Sequence, residues 1–258
     1  MTYYLRNANT FRVTDENSID ITTELPADNY LVKADQFGNL FLETVDRFEP
    51  LTKYYGDTLR NADRIMRTFN DRSASTGVLL TGEKGSGKTL LAKHLSIMGY
   101  EAGMPTILIN SSWTGDSFNK LIQDIQQPSI VMFDEFEKVY DREGQEKMLT
   151  LLDGVYASKT LFVLTCNDKW RIDSHMRNRP GRIFYSLDFK GLSEEFIRDY
   201  CNDVLHNKTH IDQITKIATL FGEFNFDMLK ALVEDMNRYD ESPQEAMRLL
   251  NAKPEYDN

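Results

Sequence analysis

A chain of 258 residues, 41% hydrophobic and 27% charged, is long enough to bury a full core and has the make-up of an ordinary soluble, folded protein. It holds no apolar run near the roughly 18 residues that a membrane span needs. Its polar start, Met1 to Thr10, lacks the shape of a signal peptide, and its two cysteines, Cys166 and Cys201, fit reduced thiols in a cytoplasmic setting rather than a disulfide framework. The net charge of −10 is uneven, with four Lys/Arg against nine Asp/Glu in residues 1–50, seven against fourteen in residues 191–258 and nineteen against seventeen between. Acidic ends argue against broad electrostatic binding of nucleic acid, which needs clustered positive charge.

In chain order, residues 1–50 alternate apolar and polar side chains. Residues 30–34 and 40–45 flank Asp35-Gln-Phe-Gly38 and read as a hairpin around a glycine-containing turn. Residues 11–14 and 18–22 are candidate further strands. A small acidic β module is expected over residues 1–50, either capping the core or recruiting a partner. After Pro50, residues 57–69 place Leu59, Ala62, Ile65, Met66 and Phe69 on one helical face. Residues 78–80 read as a buried strand and residues 90–96 as an amphipathic helix. Four more buried strands follow at 106–110, 129–133, 161–165 and 183–187. Helices at 116–126, ended by Pro128, and at 144–152, ended by Asp153-Gly154, lie between them. Strands alternating with helices predict an α/β subdomain over residues 51–190, with a parallel five-stranded sheet covered on both faces.

From Gly191 onward the pattern is helical. Ser193 caps residues 194–205, residues 211–220 end at Gly222, and residues 226–236 carry Met228, Leu229, Leu232 and Val233. Ser242-Pro-Gln-Glu245 is a capping box with proline at the first helical position. Residues 191–258 are expected to form a separate helical lid with a frayed tail at 253–258.

Chemistry concentrates between the strand at 78–80 and the helix at 90–96. Gly82-Glu83-Lys84-Gly85-Ser86-Gly87-Lys88-Thr89 has the spacing of a phosphate-binding loop. Its glycines permit positive φ and close approach of backbone to an anion. The loop N–H groups and the helix start, running into Leu90, then face that anion. Lys88 is placed to reach the β- and γ-phosphates, and Thr89 to ligate Mg²⁺. A glycine-rich turn that merely ends a strand would not need strand, spacing and helix together.

The strand at 129–133 closes on Asp134-Glu135, at the same end of the sheet. Asp134 suits the Mg²⁺ shell, and Glu135 suits orienting and deprotonating an attacking water, an effect worth about 10²–10⁴-fold. Asn167, just past the strand at 161–165, is placed to reach the γ-phosphate and that water. The run Arg171-Ile-Asp-Ser-His-Met-Arg-Asn-Arg-Pro-Gly-Arg182 would alone read as a solvated surface. Beside the other parts it reads as arginines offered to a neighbouring subunit's γ-phosphate, worth about 10³–10⁵ in rate. His94, His175, His206 and His210 show no metal-site spacing.

Taken together and in this order, the parts resemble the AAA+ ATPases over roughly residues 52–250. Gly82 to Thr89 resembles Walker A, residues 130–135 resemble Walker B, and Asn167 resembles sensor 1. Arg179-Pro-Gly-Arg182 is similar to the paired arginine fingers of the AAA clade, and residues 144–154 to the helix after Walker B. Trp113-Thr114-Gly115 resembles the pore loop that grips a polypeptide, although Thr114 stands where an apolar residue is usual and Trp113 could instead pack in the core. Tyr55-Gly56 resembles the segment lining the adenine pocket. The P-loop lacks the usual Pro-Pro of that clade. Together with Thr165-Cys-Asn-Asp168 and residues 226–233, it is more similar to the plant-type Rubisco activases, whose N-terminal region residues 1–50 do not match. No arginine lies near residues 225–230, so an arginine sensor 2 is not expected.

The resemblance implies a P-loop NTPase of the AAA+ type that hydrolyses ATP with Mg²⁺. It implies a homo-oligomeric, hexameric ring whose subunits share each site and remodel a macromolecular, protein substrate. A nucleic-acid-associated AAA+ protein such as a helicase loader is the alternative, disfavoured by the acidic ends. A non-catalytic nucleotide-dependent scaffold is disfavoured by the retention of Glu135, Asn167 and both arginines.

Overall fold

Two short strands, β1 (Thr2–Asn7) and β2 (Thr10–Asp15), pair antiparallel as a sheet of their own. The structure, a computed structural model, describes residues 2–7, 10–15, 21–153, 159–177, 179–221 and 224–250. The stops at Gly154 and Gly222, the tail at 253–258 and residues 18–20 of the strand expected at 18–22 lie outside these, while Ile21 and Thr22 are not in a strand.

The main sheet contains β3 (Asn29–Ala34), β4 (Leu40–Val45), β5 (Thr76–Gly82), β6 (Thr106–Ile109), β7 (Ser129–Phe133), β8 (Thr160–Cys166) and β9 (Tyr185–Phe189). Their order is β4-β3-β6-β7-β8-β5-β9, all parallel except β4. Five strands follow from the sequence pattern; the structure has seven. The extra pair is the hairpin expected in an N-terminal module. Asn29–Leu31 pairs with Thr106–Leu108, so the hairpin extends the edge of the main sheet. Alternation looks the same in a free hairpin and in a sheet edge. Here Tyr30 and Val32 are buried and Leu40 and Leu42 pack on the main core, which favours the edge.

Strands β5, β7 and β8 are apolar along their length because helices cover both faces. Side chains alternate between two cores with the period of a strand. Leu79, Val131, Phe133, Phe162 and Leu164 point into one; Val78, Leu80, Ile130, Met132, Leu161 and Val163 point into the other. Helices α1 (Thr58–Asp71) and α2 (Lys88–Glu101) cover the second core. The first is covered by α3 (Asp116–Gln123), the one-turn α4 (Phe136–Val139), α5 (Arg142–Leu152) and the one-turn α6 (Ser174–Arg177). Strand β9 starts two residues later than the sequence suggests. The chain first turns, with the N–H groups of Arg182 and Ile183 both donating to the Arg179 carbonyl.

The C-terminal helices are α7 (Glu194–Val204), α8 (Ile211–Ala218), α9 (Phe226–Tyr239) and α10 (Pro243–Leu249). They enclose a third core around Cys201, Ile214, Leu229, Leu232, Val233 and Ala246. The caps sit where the sequence places them: Ser193 accepts from the Phe196 N–H, and Ser242 and Glu245 form the reciprocal box. These helices seat on the glycine loop that follows β5, since the Phe226 N–H donates to the Gly85 carbonyl at 3.0 Å. No helix among the described residues is long and apolar enough to cross a membrane.

Candidate nucleotide site

Strand β5 delivers the chain into the glycine loop. Gly82 has φ +136, and a Cβ there would lie 2.0 Å from the Phe189 carbonyl oxygen, so only glycine lets β5 and β9 run this close. Gly85 and Gly87 also hold positive φ, at +74 and +101, and Gly87 is the residue from which α2 starts. The loop therefore turns its backbone toward the N-terminus of α2. Lys88 is only 6% exposed and its ammonium donates to the Gly82 and Glu83 carbonyls at 2.5 and 2.6 Å. Burial pushes its pKa down, opposed by the charges of Glu137, Asp134 and Glu135. A phosphate would supply the counter-charge that burial withholds. The Ser86 hydroxyl oxygen is buried without a hydrogen-bond partner, while Thr89 and Asp134 are exposed toward solvent. A positive-φ cradle, a buried cation and an unpartnered hydroxyl fit a nucleotide polyphosphate, and the exposed Thr89 and Asp134 oxygens fit the hard oxygen shell of Mg²⁺.

The sheet order explains why three separate segments meet here. Strand β8 lies between β5 and β7, so the residues that follow it stand between the phosphate loop and the acid pair. Glu135 adopts a left-handed backbone, φ 49 and ψ 50, which costs a residue with a Cβ about 1–2 kcal/mol. Its N–H donates to the Thr165 hydroxyl at 2.9 Å, and that hydroxyl donates to Asp134 Oδ1 at 2.6 Å. The Glu135 carboxylate accepts from the Lys138 ammonium, and its same Oε1 accepts from Asn167 Nδ2 at 3.2 Å. The Lys138 bond first, and the Asn167 bond with it, hold this carboxyl below the usual carboxylate range. Glu135 is therefore ionised at neutral pH, as a proton acceptor must be.

Asn167 is gripped from behind. Its backbone N–H donates to Glu137 Oε1 at 2.9 Å, and Glu137 Oε2 is buried with no hydrogen-bond partner. Glu137 and Lys138 do not stand out in the sequence, and Thr165 does so only as the first residue of Thr165-Cys-Asn-Asp168. A three-residue offset from Glu135 to Lys138 on a helix is the one local signal. The other two acquire meaning only when β8 is placed beside β7.

Beside the loop opens a cavity of about 480 Å³, whose lining includes Tyr55, Gly56, Ser86, Gly87, Leu90 and Phe226. Sequence reading puts Tyr55-Gly56 and Leu90 at a nucleotide site, and the structure brings them together in the lining of this cavity. Tyr55 also ties core to lid. Its ring packs on Phe196 and Tyr200, and its hydroxyl donates to Asp203 at 2.8 Å, with Lys53 ion-paired to the same carboxylate. Burial, then the Asp203 bond, pushes the Tyr55 phenol up to about 12.

The two arginines differ in placement. Arg179 is exposed. Arg182 is 7% exposed and forks onto both oxygens of Asp153, at 2.6 Å for Nη2 to Oδ2, while Nη1 donates to the His175 carbonyl at 2.9 Å. The guanidinium holds the Asp153 carboxyl below its ordinary range. A carboxyl so lowered contributes stability above its unfolded-state pKa, and that contribution fades as pH falls through the folded one. Asp153→Asn is thus expected to lower stability at neutral pH and to flatten the acid limb of a melting-temperature profile. An unchanged acid limb would mean that the pair contributes nothing.

Trp113 is half-buried against the first core, with its indole N–H buried and unpartnered. Its carbonyl accepts from the Tyr140 hydroxyl at 2.9 Å. Thr114 is half-buried, and Gly115 is exposed at φ +86.

The profile of the family described as "ATPase family associated with various cellular activities (AAA)" matches residues 78–190, the stretch from the phosphate-loop strand to the end of β9. Over this stretch the chain is similar to the AAA ATPases. Among curated relatives, the peroxisomal ATPase PEX1 of Homo sapiens is 32% identical over 182 residues, covering 61% of this chain and 14% of that protein. PEX1 of Cricetulus griseus is 33% identical over 129 residues, 42% of this chain and 10% of that protein. Fidgetin-like protein 1 of Drosophila melanogaster is 28% identical over 172 residues, 58% of this chain and 32% of that protein. The chain thus spans only a small part, at most about a third, of these relatives' lengths. In fold it is similar to the FIGL-1 AAA domain solved in complex with ADP, with a TM-score of 0.56 at 17% identity over 83% of this chain and 88% of that one. The glycine loop, the acid pair and Asn167 all lie within the matched residues.

Proposed function

We propose that the chain is a Mg²⁺-dependent ATP hydrolase that works as a ring oligomer, a hexamer in the manner of its family, and remodels a protein substrate. The observation that carries this reading is the ionised Glu135, bonded on one oxygen by Asn167 and set at the end of the sheet that bears the phosphate loop. Lys88 and the loop N–H groups would hold the β- and γ-phosphates. Asn167 would steady the attacking water, and Glu135 would take its proton as the water oxygen bonds to the γ-phosphorus and the bond from that phosphorus to the β–γ bridging oxygen breaks, leaving ADP and inorganic phosphate. Mg²⁺, held by Thr89 and Asp134, would supply charge neutralisation across the phosphates. Phosphate release is therefore expected to stop on adding EDTA and to return with excess Mg²⁺. Turnover that persists through chelation would contradict this assignment.

The different placements of the two arginines support a shared site. Arg182 is committed to Asp153 within its own chain and fixes the turn before β9. Arg179, exposed one turn away, is the arginine left to meet a neighbour's γ-phosphate. Contact with substrate through Trp113, Thr114 and Gly115 would require the indole to leave its partial burial when substrate or a neighbouring subunit engages the loop. The reduced buried thiols and the lack of a membrane-spanning helix among the described residues are consistent with work in the cytoplasm.

A further inference from the structure

We propose that Thr165 is a positioning residue for the acid pair, its one hydroxyl fixing both the aim of Asp134 and the left-handed backbone of Glu135. This inference rests on the roles given above to Asp134 and Glu135. Thr165 is 3% exposed, near the carboxyl end of the strand between the phosphate-loop strand and the acid-pair strand. A hydroxyl has one proton to give and lone pairs to receive, and both capacities are used on this pair. The proton goes to Asp134 Oδ1 at 2.6 Å, and the oxygen receives the Glu135 N–H at 2.9 Å. Oδ1 of Asp134 is thereby kept an acceptor, which leaves Oδ2 to face a cation.

The backbone of Glu135 is the second half of the argument. Two non-glycine residues among those described have positive φ, Glu135 and Asp240. Asp240 ends a helix, a place where left-handed backbone is common. Glu135 has no such excuse, and a strained backbone persists where surrounding contacts over-determine it. The bond from its N–H to Thr165 is such a contact. Without the hydroxyl, Asp134 is free to rotate and the Glu135 peptide is free to relax. The Glu135 carboxylate would then move away from Asn167 Nδ2 and Lys138, both of which it meets with this backbone.

The test compares Thr165→Val, Thr165→Ser and Glu135→Gln in the full chain. ATP turnover is measured against ATP and against Mg²⁺, with the melting temperature as a folding control. Thr165→Val keeps the shape and loses both bonds. It is expected to lower kcat by about 10–100-fold, to raise the Mg²⁺ needed for half-maximal rate, and to leave the KM for ATP unchanged. Thr165→Ser, which keeps the hydroxyl, is expected to restore turnover and the Mg²⁺ requirement. Thr165→Ala, the second variant if Val does not fold, is expected to show the same losses as Val. Wild-type turnover and Mg²⁺ requirement in Val or Ala, while Glu135→Gln is inactive, would overturn the role of Thr165 alone. So would a serine variant as impaired as valine. Full activity of Glu135→Gln would instead remove the acid-pair reading beneath it.

Discussion

Glu135→Gln is expected to bind ATP as the parent chain does and to turn it over about 10²–10⁴-fold more slowly. The amide keeps the size of the side chain and an oxygen that Asn167 and Lys138 can still reach. What it loses is the ability to accept a proton from water. Because the carboxyl is held below its usual range by Lys138 and Asn167, the proposed base is already ionised at neutral pH. The substitution therefore removes a group that was present rather than one that needed to be generated. Phosphate release with a parallel nucleotide-binding titration separates the two effects. A glutamine variant that hydrolyses ATP at the parent rate would remove Glu135 from the chemistry. One that fails to bind would place its role in nucleotide retention instead.

Arg179→Ala is expected to lower turnover in the assembled protein by about 10³–10⁵-fold, with each chain's fold intact, because its side chain is exposed and lies outside the cores. Arg182→Ala is expected to fail differently. Removing a buried guanidinium strands Asp153 and the His175 carbonyl, a loss on the order of 3 kcal/mol in stability, and slows turnover through the displaced turn. Melting temperature and turnover measured on both variants distinguish the two roles. Equal melting losses for the two would contradict the distinction drawn here.

The parts of the site that lie close in sequence are legible there. A phosphate loop announces itself by glycines at fixed spacing after an apolar strand, and Asp134-Glu135 by four apolar residues before two acids. What escapes is whatever depends on the order of strands in the sheet. Thr165 and Glu137 lie about 30 residues from their partners at Glu135 and Asn167. They meet because β8 slots between β5 and β7, and no local pattern encodes that insertion. The hairpin at residues 29–45 is legible as a hairpin, yet its docking on β6 is decided by burial of Tyr30 and Val32. Arg179 and Arg182 look alike in a run of arginines. They are separated by Asp153, 29 residues before Arg182, which claims one of them. Trp113 shows the reverse case: a pore-loop pattern in sequence, and an indole packed on the core in the structure.

The central claim is that each ATP site is completed by a second copy of the chain. It is tested most directly by mixing Lys88→Ala subunits with Arg179→Ala subunits, each inactive alone, and measuring ATP turnover. The shared-site account predicts that activity returns on mixing, since some interfaces then join an intact phosphate loop to an intact Arg179. Mixed subunits that assemble together and remain as inactive as either variant alone would contradict it.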